Sequence, residues 1–84
     1  MFNAAGARFA SAVFTSLDDA KAWITINGLS GVLTKYPVDI GVYEWAVAGG
    51  LFTPKTEQQR SSSFIGEFTT ASMDHYHFES GELG

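Results

Sequence analysis

SGVLTKYPVDIGVYEWAVAGG, residues 30–50, decides the fold, because within it the chain leaves strand chemistry and enters helix chemistry across one proline. Gly31 to Tyr36 reads as a strand, with Val32, Thr34 and Tyr36 facing one way and Leu33 and Lys35 the other. Pro37 ends it, since proline has no N–H to give to a ladder. Asp39 is then expected to cap a second helix, in which Val42, Trp45, Ala46 and Gly49 fall at i, i+3, i+4 and i+7 on one face. Gly49-Gly50 stops that helix. A strand followed directly by a capped helix, inside so short a chain, points to an α+β domain.

The flanks extend the pattern. Residues 8–15, RFASAVFT, alternate at strand period, and 4–7, AAGA, can turn the chain back onto a stub of strand at 1–3. Ser16 sits where an N-cap belongs, with Asp18 and Asp19 at the positive end of the helix that follows. Leu17, Ala20, Trp23 and Ile24 form its apolar stripe, and Asn27-Gly28 its stop.

Downstream, TPKTEQQRSSS (53–63) loses apolar character and reads as an exposed loop. Helix and strand both stay open for FIGEFTTA (64–71). A serine-rich lead-in and the i, i+4 pair Phe64 and Phe68 favour a short helix, whereas Gly66 and Thr69-Thr70 oppose it. DHYHFE (74–79) alternates strictly and predicts a strand with Tyr76 and Phe78 inward and His75, His77 and Glu79 outward. The expected architecture is a small two-layer α+β sandwich in the order (β)-β-α-β-α-(α)-β, with a mixed or antiparallel sheet and helices on one face.

Composition bounds the function. Eighty-four residues, 45% of them hydrophobic, with seven phenylalanines, three tyrosines and two tryptophans, suffice for a single domain with one ordered core. The absence of cysteine removes disulfides and thiolate chemistry and suits a reducing cytoplasm, the expected location. No stretch approaches the roughly 18 apolar residues of a membrane span, and the N-terminus lacks the pattern of a cleaved signal. A formal net charge of −4, with Arg8, Lys21, Lys35, Lys55 and Arg60 scattered, argues against nucleic acid as partner.

Few residues offer chemistry. His75 and His77 project the same way, spaced about 7 Å along a strand, but a metal would need a third ligand and Glu79 lies far along the same face. Neither G-x-S-x-G nor a glycine-rich phosphate loop occurs, so no catalytic residue, metal or cofactor is assigned. Tyr43 and Glu44 are expected to flank the buried stripe of the second helix, with Tyr36 at the end of the second strand; part-exposed tyrosines beside acids anchor interfaces, and equally form the rim of an ordinary core. Binding candidates are therefore Tyr36, Tyr43, Glu44, His75, His77 and Glu79. They suggest a non-enzymatic cytoplasmic binding protein, such as an inhibitor, immunity-type or accessory protein, whose partner is another protein. The alternative is a small-molecule or metal binder, enzymatic or not, built on His75 and His77; pairing of exposed strand edges would give a homo-oligomer.

SGVLTKYPVDIGVYEWAVAGGLFTPK, FIGEFTTAS and DHYHFESGE together resemble a family of small, uncharacterised bacterial proteins. That family carries a G-x-L-T-x-Y-P-x-D-x-G-V-Y-x-W-A block, then F-I-x-x-F-T-x-A, then H-Y-H-[FY]-E. The likeness runs from about Arg8 to Glu82 and implies a stand-alone bacterial domain.

Overall fold

The computed structural model describes all residues, 1–84. The fold is α+β: β1 (Phe2–Ala4), α1 (Leu17–Asn27), β2 (Gly31–Thr34), α2 (Val42–Ala48), a 3-10 turn (Gln58–Arg60), α3 (Ser62–Glu67), β3 (His75–Glu79) and β4 (Glu82–Leu83). The four strands form one antiparallel sheet in the order β1-β2-β3-β4. The chain divides into two compact units, Met1–Lys35 with Asp74–Gly84, and Tyr36–Met73.

The first unit holds the whole sheet, with α1 laid on one face. Ser16 is extended at φ −122° and its hydroxyl accepts from the Asp19 N–H at 3.3 Å, which starts α1 as the sequence predicts. At the other end Gly28 adopts φ 60°, the Leu29 N–H reaches the Ile24 carbonyl at 3.0 Å and the Gly28 N–H the Thr25 carbonyl at 3.2 Å. This is the paired bonding of a Schellman stop. Between these ends α1 buries Ala20 and Ile24 against Phe2 of β1, Leu33 of β2 and Phe78 of β3. Trp23 packs edge-on to Phe2 at 5.7 Å and tilted on Phe14 at 5.5 Å.

Residues 8–15 correct the strand expected there. Only Ala12 bridges to Phe2, through Phe2 N–H to Ala12 O and Ser11 N–H to Phe2 O, both 2.9 Å, while Phe9 and Val13 lie 77% and 70% exposed. The stub at the N-terminus is instead the strand, pairing Phe2, Asn3 and Ala4 with Leu33, Val32 and Gly31. The reason is burial: Phe2 is 0% exposed at the core centre, so its flanks win the ladder and residues 10–12 only cover its outer edge.

The chain also pairs Glu82–Leu83 with Phe78–Glu79 across a two-residue turn, an extra strand the sequence reading lacks. Ser80 and Gly81 have φ of 49° and 85°, as a type I′ hairpin turn requires at both positions.

The second unit contains α2, the 3-10 turn and α3. Asp39 does not cap α2. It sits at φ 64°, a conformation Asp tolerates better than most residues, and turns the chain after Pro37 so that Gly41 precedes the helix without any side-chain cap. The buried residues of α2 are Tyr43 and Ala46, with Val42 and Trp45 half-buried. Tyr43 is thus buried in the core rather than part-exposed at its edge. Its ring stands 5.9, 6.2 and 5.5 Å from those of Phe52, Phe64 and Phe68, and a seven-residue helix is too short for periodicity to fix which face is covered. Residues 53–57 are irregular and mostly exposed, and 58–60 form the 3-10 turn. Residues 62–67 settle as helix: Ser61 caps α3 by accepting from the Phe64 N–H at 3.2 Å.

Candidate functional site

Strand alternation sorts the side chains of the first unit into two faces. Phe2, Leu33, Tyr76 and Phe78 point to α1. Asn3, Val32, Thr34, His75, His77 and Glu79 therefore occupy the opposite face, where His75 pairs with Thr34 and His77 with Val32 across the strands. His75, His77 and Glu79 are exposed there, as predicted, and the two imidazole rings meet edge-on at 5.3 Å. Beyond them Glu79 stands directly opposite Glu82. The four strands contain Glu79 and Glu82 and neither lysine nor arginine, so the charge built into the sheet is negative.

The structure gathers three of the six predicted binding residues on this face. Tyr36, Tyr43 and Glu44 belong to the second unit, where Tyr36 is half-buried, Tyr43 buried and Glu44 exposed. No group of three or more His, Asp or Glu side chains is arranged to hold a metal ion.

A cleft of about 310 Å³ opens in the first unit at the end of the sheet where α1 begins. Leu33 and Ala20 form its buried floor, and Phe14, Leu17 and Tyr76 its apolar walls. Thr15, Ser16, Thr34, Lys35 and Asp74 supply polar groups. Met1 lines it as well; its α-amino group donates to the Thr34 carbonyl at 2.9 Å, and burial lowers the pKa of that amine below its ordinary value. None of the cleft residues was singled out as a binding candidate from sequence. The signal lay in strand parity, since Lys35 follows Leu33, and Asp74 precedes Tyr76, on the inward-facing positions.

A family model matches the chain over residues 1–84, and its description is Domain of unknown function (DUF7710). The chain belongs to the DUF7710 family. The match reaches both ends of the DUF7710 chain, so β1 and the β3–β4 hairpin lie inside the family's domain. No curated protein and no solved structure matches the chain. No helix of this DUF7710 domain is long and apolar enough to cross a membrane.

Proposed function

We propose that this domain is a non-enzymatic protein-binding module that holds a basic partner on the outer face of its sheet, centred on His75, His77 and Glu79. One observation carries the reading. The face opposite α1 is exposed along β3, and the only charged side chains its strands provide are the acids Glu79 and Glu82. Flat strand surfaces suit macromolecular contact, whereas reaction centres work in recesses that exclude water. The paired imidazoles give the face two planar groups that donate and accept hydrogen bonds, and the carboxylates select a positively charged partner. Inhibitor, immunity-type and accessory roles all fall within this reading, and the cysteine-free composition suits a cytoplasmic setting.

Affinity capture from native cells supplies a candidate partner, and the purified pair decides. The His75→Ala/His77→Ala/Glu79→Ala variant is expected to bind that partner at least about tenfold more weakly, with wild-type affinity falling as salt rises. A purified partner that binds the variant as tightly as wild type, or one whose contact surface is acidic, overturns the reading.

A further inference from the structure

The cleft at the start of α1 has a feature that core packing does not explain. Lys35 and Asp74 extend the β2–β3 ladder by one pair, the Lys35 N–H reaching the Asp74 carbonyl at 2.8 Å. Their side chains therefore leave the sheet side by side on the same face as Leu33 and Tyr76, which is the face α1 covers. Beside the first turn of α1 that cover ends, and the two opposite charges stand at the rim of an apolar recess. Tyr76 forms one wall, and the Lys21 ammonium lies over its ring, 5.6 Å from the centre.

We propose that this cleft binds a small zwitterion with an apolar body, of the class of a free aliphatic amino acid. Lys35 takes the carboxylate, Asp74 takes the ammonium, and the aliphatic part enters between Phe14, Leu17, Leu33 and Tyr76. Size sets the upper limit: pockets for small molecules run from about 300 to 1,000 Å³, so one of about 310 Å³ takes a compact metabolite and not a nucleotide or flavin. Charge sets the rest. Lys35 and Asp74, a cation and an anion on adjacent strands, match a ligand carrying both signs, whereas a simple fatty acid would face Asp74 and a simple amine would face Lys35 and the Met1 α-amino group, which itself donates to the Thr34 carbonyl.

The test titrates isotopically labelled protein with L-leucine, with isocaproate, which lacks the amine, and with isoamylamine, which lacks the carboxylate, following amide chemical shifts. Leucine is expected to give saturable shifts around Leu17, Leu33 and Tyr76, with each analogue binding at least about tenfold more weakly. Lys35→Met should weaken leucine but strengthen isoamylamine, which no longer faces a like charge; Asp74→Asn should weaken leucine but strengthen isocaproate for the same reason. Both positions are exposed, so the fold should survive, and circular dichroism checks it. Should either variant unfold, the comparison of the three compounds on wild-type protein decides alone. Shifts that do not saturate, that map outside the cleft, or that are matched by either analogue overturn the proposal.

Discussion

The Thr25 hydroxyl donates to the Gly81 carbonyl at 2.8 Å, joining residues 56 positions apart in the chain. It ties the last turn of α1 to the turn of the β3–β4 hairpin. Two further bonds secure the same junction, Gly81 N–H to the Leu29 carbonyl at 2.8 Å and Ser80 N–H to the Ser30 hydroxyl at 2.9 Å. Gly81 is buried at φ 85°, and a Cβ there would lie 3.1 Å from both the Thr25 carbonyl oxygen and the Gly28 Cα.

Gly81→Ala should therefore be worse than a left-handed alanine alone. Gly28→Ala is the control, since Gly28 is also left-handed at φ 60° but has nothing within 4 Å of the added carbon. The control should lose about 1 kcal/mol, and Gly81→Ala a further 1–3 kcal/mol or so from crowding. Thr25→Val should lose about 0.5–1.5 kcal/mol through the missing hydrogen bond. Urea unfolding midpoints measure all three, and equal losses at Gly28 and Gly81 would refute the close docking.

This junction also shows where the sequence was legible and where it was not. Ser16, Gly28 and the alternation of DHYHFE act through neighbours in the chain, so local chemistry foretold α1 and β3. The S-G dipeptide at 80–81 was an equally local hairpin signal, although the strand beyond it has only two residues to show a pattern. Residues 8–15 misled because alternation reports what a segment can do, and the ladder position went to Phe2, whose claim rests on contacts with Ile24 and Leu33 far along the chain. Tyr43 misled for a related reason, its burial being set by rings at positions 52, 64 and 68. At the candidate sites the His75 and His77 face was read from alternation, but a cleft needs four separate segments in place before it exists.

Gly31 is the tightest point of the β1–β2 pair. A Cβ there would collide with the Asn3 carbonyl oxygen and come within 2.8 Å of the Ala4 Cα and 2.9 Å of the Phe2 ring. Backbone cannot yield as a flexible side chain can, so Gly31→Ala should lose about 3 kcal/mol or more. Phe2→Ala, which empties the core centre, should lose about 3–5 kcal/mol. For a domain whose total stability is on the order of 5 kcal/mol, either change should leave a large unfolded fraction, visible by circular dichroism at room temperature. A cooperative melt for Gly31→Ala matching wild type would show that β1 is not held in this register.

Tyr43 separates a packing role from a recognition role. Its ring lies among Phe52, Phe64 and Phe68, whose own centroids are 4.9–5.9 Å apart. Tyr43→Phe keeps that ring and should change stability by no more than about 0.5 kcal/mol, whereas Tyr43→Ala should lose about 3–5 kcal/mol. Binding of a partner by Tyr43→Phe should equal that of wild type. A folded Tyr43→Phe protein that has lost binding would return the phenol to the list of anchors.

Glu79 and Glu82 face each other across the hairpin, a like-charge pair in directly opposed positions that weakens the strand pairing. Glu82→Lys turns the repulsion into attraction and should stabilise the domain by about 0.2–1 kcal/mol at low ionic strength. The gain should fade as salt is added, because both residues are exposed. The same change places a cation on the face assigned to a basic partner, so it should slow association and weaken binding while the fold becomes more stable. Thermal unfolding at two salt concentrations and binding kinetics on one protein separate the two effects. A variant that gains stability and still binds as wild type would remove charge complementarity from the account of this face.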